Sequence, residues 1–276
     1  MTEHNGATAV AGATRSEADQ PTRRARVVAI ANQKGGVGKT TTAINLSAEL
    51  ARLRKRVLLV DIDPQGNATT GLGIDKSSIE ACMYDVIIKS ARLDDVIRDT
   101  SIEGLRIAPS TLNLAGAEIE LVTAMSREQR LRNALGSQLE RYDQIFIDCP
   151  PSLGLLTLNA MSAADCLIVP IQAEYFALEG LGQLTHVIEL VRSHLNPHVR
   201  ILGVLITMFD SRTNLAVQVV HEVEKYFPGL VFGTRIPRSI RLSEAPSHGA
   251  PITLFDPKGK GAAAYAALAE EVLTRE

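Results

Sequence analysis

Cysteine is scarce in this chain of 276 residues, and Cys82, Cys149 and Cys166 stand far apart with no C-x-x-C spacing. That signals neither a disulfide framework nor a zinc site, and leaves three buried or incidental thiols as the expectation. No apolar run approaches the roughly 18 to 20 residues of a membrane span, and no apolar h-region follows the first charges. A cytoplasmic protein is therefore expected. An excess of one charge sign is missing too: the net charge is −2 and the sequence pI about 6.3, so any nucleic-acid surface has to be a local patch. Internal repeats are absent. Apolar residues, by contrast, make up 45% of the chain, ample for a large core and for one α/β domain over residues 26–276.

The most informative stretch runs from Arg26 to Thr42. A short apolar run, Val27 to Ala31, breaks into Asn32-Gln33-Lys34-Gly35-Gly36-Val37-Gly38-Lys39-Thr40, after which a helical pattern begins. Strand, glycine-rich loop and helix in that order make a phosphate site. Glycines let backbone N–H groups curl round an anion, Lys39 reaches the β- and γ-phosphates, and the Thr40 hydroxyl can ligate Mg²⁺. The general G-x-x-x-x-G-K-[ST] pattern asks for glycine at position 33, where Gln33 stands instead, with Lys34 after it. The loop therefore carries a second lysine.

Two further apolar strands end in carboxylates. Val57 to Val60 delivers Asp61 and Asp63, followed by the loop Pro64-Gln65-Gly66-Asn67, and Gln144 to Ile147 delivers Asp148. In open parallel sheets the ligand crevice lies at the carboxyl ends of the strands, which puts these acids beside the nucleotide. Asp148 has the setting of the carboxylate that holds the Mg²⁺ water shell opposite Thr40.

The rest of the chain alternates strands and helices. Helical periodicity marks Ala43, Leu46, Leu50 and Leu53 on one face, and Leu181, Leu184, Ile188, Val191 and Leu195 on another. Strands are expected at Leu105–Ala108, Cys166–Val169, Ile201–Thr207 and Val231–Thr234, and a helix from about Thr213 to Phe227. The alternation predicts a doubly wound, mostly parallel sheet flanked by helices. Residues 1–25, ending in Pro21 and an arginine cluster, read as a disordered tail. Near the C-terminus Arg235, Arg238 and Arg241 fall three apart with no acid among them, so one side of that segment is expected to be basic, with Arg212 adding to it. From Leu205 onward acids and bases balance, which confines any positive surface to a patch.

KGGVGKT, VDIDPQGNATTG, IFIDCPPSLG and IPRSIRLSEAPSHG occur in that order, and over nearly everything from Arg26 onward the sequence resembles the ParA/Soj chromosome-partitioning ATPases, a branch of the deviant Walker A, MinD-like P-loop ATPases. The resemblance implies slow, partner-stimulated hydrolysis of ATP with Mg²⁺. It also implies a homodimer with two ATP molecules between the subunits. Lys34 matches the signature lysine that reaches the partner's ATP, and Lys39, with Gly35, Gly36, Val37 and Gly38, cradles phosphates in its own subunit. Thr40 matches the Mg²⁺ ligand, Thr41 lies near the α-phosphate, Asp63 matches the residue that orients the attacking water, and Asp148 the Walker B position. Asp63 is also counted with Thr40 and Asp148 around the metal. Family contacts to adenine fall near Met208 and Pro237.

The same resemblance implies that the ATP dimer binds double-stranded DNA without sequence preference through Arg212, Arg238 and Arg241, with Arg235, Lys258 and Lys260 as neighbours. It implies a ParB/Spo0J-type centromere-binding partner whose basic N-terminal segment stimulates hydrolysis and releases the ATPase from the nucleoid. The alanine-rich, acidic end from Gly261 to Glu276 does not match the basic membrane helix of MinD-type members, so no membrane binding is expected. The N-terminal tail is too short for the helix-turn-helix domain of larger plasmid partition ATPases. The alternative function is a related nucleotide switch that positions another cargo on the nucleoid. A redox role like that of the nitrogenase iron protein needs a cluster-ligating cysteine pair that the cysteine positions do not supply.

Overall fold

Residues 1–2, 24–174 and 179–275 are described in this computed structural model, with the side chains of 179–181 set aside. The expected tail falls almost wholly outside the described residues, as does the side chain of Leu181. Seven strands form one sheet: β1 Arg26–Ile30, β2 Val57–Asp61, β3 Arg98–Asp99, β4 Leu105–Ala108, β5 Gln144–Asp148, β6 Cys166–Gln172 and β7 Arg200–Thr207. Their order in space is β3-β4-β2-β5-β1-β6-β7. Every pairing is parallel except that of β3 with β4, so the predicted mostly parallel, doubly wound sheet is the observed one.

Strands covered on both faces must be apolar on both, which is why β1, β2 and β5 read as continuous hydrophobic runs. Successive side chains of β1 go to opposite cores. Val27 and Ala29 join the layer containing helices Leu155–Ala163, Glu179–His194 and Asn214–Tyr226, whereas Val28 and Ile30 join the layer of helices Lys39–Arg52 and Lys260–Thr274. In the register, Ile30 and Asp61 both pair with Asp148. The ends of β1, β2 and β5 are thereby level, and the residues that follow them share one crevice.

Three expectations change. Val231–Thr234 is not a strand; only Val231 bridges to Val204, because the amides of Gly233 and Thr234 donate to the Glu271 carboxylate at 2.8 and 2.9 Å and are lost to a ladder. Phe232 meanwhile packs over Gly203, where a side chain would collide with its ring. Leu53 does not join the buried face of its helix, which ends at Arg52, and Arg54 takes a positive φ of 62° to turn the chain. The short antiparallel β3 carries Arg98 and Asp99, with no apolar alternation to announce it. Among the described residues, no helix is long and apolar enough to cross a membrane.

Candidate functional site

The loop after β1 is fixed from outside. Asn32 donates to the Pro170 carbonyl at 2.7 Å and accepts from the Lys34 amide at 3.0 Å, while the Thr207 hydroxyl lies 2.9 Å from the Val37 carbonyl and 3.2 Å from that of Ile171. Gly36 and Gly38 have φ of 74° and 85°, a conformation that costs glycine nothing and other residues a good deal. Among the described residues, the amides of Gly35, Gly36, Val37 and Gly38 donate to no protein acceptor. A curl of free N–H groups at the start of helix Lys39–Arg52 is an anion cradle, so these residues fit the phosphates of a nucleotide.

The two lysines of the loop point to different places. Lys39 is buried and its ammonium donates to the Lys34 carbonyl at 3.0 Å. Burial lowers its pKa, while Asp148, Cys149 and Asp63 pull the other way. Lys34 is half-exposed, with its ammonium 3.4 Å from the Glu174 carboxylate.

Three carboxylates face this loop in distinct states. Asp61 is fully buried and accepts from the Asp63 amide, the Thr69 amide and the Thr69 hydroxyl. Burial pushes its pKa up, to about 6, against those hydrogen bonds. Asp148 is equally buried, yet neither of its oxygens has a hydrogen-bond partner. Burial and then the neighbouring Asp61 charge raise its pKa, opposed by the Thr40 hydroxyl and Lys39. An orphaned buried carboxylate is costly unless something is to occupy it, and a divalent cation with its waters, shared with Thr40, would satisfy both oxygens and reverse the local electrostatics. Asp63 is 6% exposed; one oxygen accepts the Gln65 amide at 2.9 Å and the other is uncommitted. That free oxygen, beside the phosphate loop, can orient a water.

A cleft of about 260 Å³ opens next to the loop, lined by Gly38, Thr41, Met208, Pro237, Arg238 and Tyr265 among others. Met208 holds a positive φ of 50°, unusual for a residue with a side chain and characteristic of sites held under constraint. The cleft brings the two residues expected at adenine to the edge of the phosphate cradle.

The basic segment differs from its sequence expectation. Every arginine in it faces a carboxylate: Arg212 chelates Asp210, Arg235 is 3.5 Å from Glu224, Arg238 is 3.9 Å from Glu174, and Arg241 is 3.0 Å from Glu244 and 3.9 Å from Asp256. Arg241 also stacks on Phe255, and Arg235 on Phe209. The absence of acids within residues 235–241 did not make that side uniformly positive, because Glu244 follows one turn later on the helix of Arg241 and the other compensating acids arrive from separate segments. Lys258 and Lys260 are exposed and have no carboxylate within 4 Å among the described residues. Sequence reasoning missed Glu174, Asn32, Thr69 and Thr207, whose roles depend on contacts between distant segments.

A protein-family model described as an AAA domain matches residues 25–201. The chain is 58% identical over 247 residues to the sporulation initiation inhibitor protein Soj of Bacillus subtilis, covering 90% of this chain and 98% of that protein. It is 53% identical over 251 residues to the chromosome partitioning protein ParA of Myxococcus xanthus, covering 91% and 89%. Among solved structures, a Mycobacterium smegmatis protein described as cobyrinic acid a,c-diamide synthase, with bound ADP and magnesium, superposes with a TM-score of 0.80 at 38% identity, over 90% of this chain and 94% of that one.

Proposed function

The chain belongs to the ParA/Soj family of chromosome-partitioning P-loop ATPases, and from that membership we propose that it works as an ATP-dependent clamp on DNA, made of two copies and opened by a partner. It is a partitioning ATPase that uses ATP and Mg²⁺. The loop amides and Lys39 hold the phosphates, Thr40 and Asp148 hold Mg²⁺, and Asp63 orients the attacking water. The bound cation supplies charge neutralisation on the phosphates. Met208 and Pro237 flank the base.

The observation that supports the dimer is the second, half-exposed lysine. Lys34 belongs to the phosphate loop, yet its ammonium pairs with Glu174 while the buried Lys39 ammonium is held at the Lys34 carbonyl, and Gly35 and Gly36 leave the loop surface open beside it. A cation in that position can reach phosphates presented by a second copy, where it would stabilise developing charge as an arginine finger does. The site in one chain is then half of the hydrolytic site.

DNA would meet the clamp at Lys258 and Lys260 and at the arginines 212, 235, 238 and 241, which exchange their carboxylates for phosphates. Exposed ion pairs of this kind contribute only about 0 to 1 kcal/mol each, so the exchange is accessible. A ParB-type centromere-binding protein would stimulate hydrolysis and release the protein from the nucleoid, in the cytoplasm and away from membrane. The amidation named for the M. smegmatis protein is a poorer guide, since partition relatives match over the same span at 53 and 58% identity. Turnover measured with ATP, DNA and the ParB-type protein together tests the proposal; no stimulation in any combination rejects it.

A further inference from the structure

The cations assigned to DNA are mounted on two different parts of the fold. Arg235 and Arg238 belong to a stretch tied to the end of β7, where Phe209 bridges to Pro237 and the Arg238 amide donates to the Phe209 carbonyl at 3.2 Å. Arg212 follows the same strand end, held on Asp210. Lys258 and Lys260 are mounted elsewhere. They lie where the short helix Ile252–Phe255 hands over to the helix Lys260–Thr274, and both of these are fastened to the helix Lys39–Arg52 that begins at the phosphate loop.

Asn45 makes the first fastening. It is buried in the second turn of the phosphate-loop helix, where asparagine is a poor helix former and is costly to bury unless its amide is bonded. Both ends of the amide are used: Nδ2 donates to the Thr41 carbonyl at 2.7 Å, and Oδ1 accepts the Ile252 amide at 2.6 Å. Two turns further on, Arg52 donates to the Thr253 hydroxyl at 2.6 Å and is steadied by Glu49 at 3.0 Å. At the far end of the segment, the Tyr265 hydroxyl lies 3.3 Å from that of Thr42. Between these ties the chain turns through a bond from the Gly259 amide to the Asp256 carbonyl, at 3.0 Å, so the lysines ride on the phosphate-loop helix.

The same segment reaches Arg241. The Phe255 ring lies 4.4 Å from its guanidinium and the Asp256 carboxylate 3.9 Å from it. The nucleotide cleft is lined from both mounts, by Gly38, Thr41 and Tyr265 from one and by Met208, Pro237 and Arg238 from the other. Thr41, whose carbonyl holds Asn45, is therefore part of the cleft and only two hydrogen bonds away from Ile252.

We propose that Asn45 is the positioning residue that sets the lysine half of the DNA surface against the arginine half, by holding Ile252 to the phosphate-loop helix. The inference rests on the DNA reading above and adds to it the tie that aligns the two parts. Phosphates at fixed intervals along a duplex favour a rigid array of cations, and an array whose halves shift independently loses the contacts of one half. Because the tie starts from a residue lining the nucleotide cleft, this alignment is set within each chain, apart from the contact between chains assigned to Lys34.

The test is a double-mutant cycle, read as binding of a labelled random-sequence duplex at several salt concentrations with Mg²⁺ and a non-hydrolysable ATP analogue. It compares the unmodified chain, Asn45→Ala, the Lys258→Ala, Lys260→Ala variant, and all three changes together. Asn45→Ala should leave basal turnover, analogue affinity without DNA and ATP-dependent dimerisation unchanged. It should weaken DNA binding about tenfold and lower the magnitude of the salt slope by about 2, the share of two lysines at roughly 0.9 per phosphate. With the lysines already replaced, Asn45→Ala should cause no further loss. Additive losses, or unchanged DNA binding in Asn45→Ala, overturn the proposal. So does a fall in analogue affinity large enough to account for the DNA loss, the mark of a general defect in the phosphate-loop helix. Thr253→Val removes the Arg52 tie without altering that helix, and asks the same question should Asn45→Ala not fold. It should cost about threefold in DNA affinity, and nothing once the lysines are replaced; an unchanged or an additive effect overturns the proposal. If the unmodified chain binds no DNA with the analogue, the DNA reading itself fails, a result distinct from an additive cycle in a chain that does bind.

Discussion

The ammonium of Lys34 lies 3.4 Å from the carboxylate of Glu174, whereas that of Lys39 is held 3.0 Å from the Lys34 carbonyl. An ion pair between side chains that are 38% and 46% exposed is weak, so it can position Lys34 without holding it back from a stronger anion. Lys34→Ala is expected to keep nucleotide affinity in the monomer, where Lys39 and the loop amides do the binding, and to lose ATP-dependent dimerisation and hydrolysis. Equilibrium binding of a fluorescent ATP analogue, set beside sedimentation of the same samples, separates the two effects.

Asp63→Ala should retain ATP and DNA binding while its turnover falls about 10²-fold or more, the scale of losing a group that orients and deprotonates a nucleophile. Normal turnover in that variant would remove Asp63 from its role. Asp61, despite being two residues away, is expected to act differently on substitution, because its carboxylate is spent on Thr69 and the Asp63 backbone.

No hydrogen bond is formed to either Asp148 oxygen, although the Thr40 hydroxyl lies close enough to favour its charged form, so its contribution should appear chiefly through the cation that the two residues would share. Asp148→Asn is expected to raise the Mg²⁺ concentration needed for turnover, with little change in the binding of metal-free ATP. Removing Mg²⁺ with a chelator should abolish hydrolysis in both proteins. A Mg²⁺ titration of turnover at fixed ATP reads the difference.

Because Lys258 and Lys260 are uncompensated while the arginines are paired, the lysines should dominate the salt dependence of DNA binding. The Lys258→Ala, Lys260→Ala double variant should lower the magnitude of the slope of log affinity against log salt by about 2, at roughly 0.9 per phosphate contact. Arg241→Ala should reduce it less, since that guanidinium is held by Glu244, Asp256 and the Phe255 ring. Unchanged affinity at every salt concentration in both variants means that this surface does not meet DNA.

Gly36 has open space around it, but its φ of 74° means that a side chain there strains the loop as well as obstructing a partner. Gly35 has no such restriction, and a Cβ on it would make only ordinary contact with Pro151 at 3.9 Å. Gly35→Val is therefore the cleaner obstruction. It should block ATP-dependent dimerisation while leaving the monomer's ATP affinity close to normal, as measured by calorimetry with a non-hydrolysable analogue.

Much of this molecule can be read in its sequence because its chemistry is local. The phosphate loop and the aspartates ending β2 and β5 follow from strand, turn and helix patterns within short windows. The buried strands are legible because a parallel sheet covered on both faces demands continuous apolar runs. What escaped depends on separated segments meeting. Phe232 and Glu271 take Val231–Thr234 out of the sheet, and the acids that neutralise residues 235–241 come from Glu174, Glu224 and Asp256. The Asp61–Thr69–Ser110 chain likewise joins positions whose proximity no periodicity encodes.

The claim that one chain holds half of a hydrolytic site is tested most directly by sedimentation of the Asp63→Ala protein with Mg²⁺ and ATP, with and without the further change Lys34→Ala. The expected result is a dimer for Asp63→Ala that requires ATP and disappears when Lys34 is also replaced. A monomer under all conditions, or a dimer indifferent to Lys34, would contradict it.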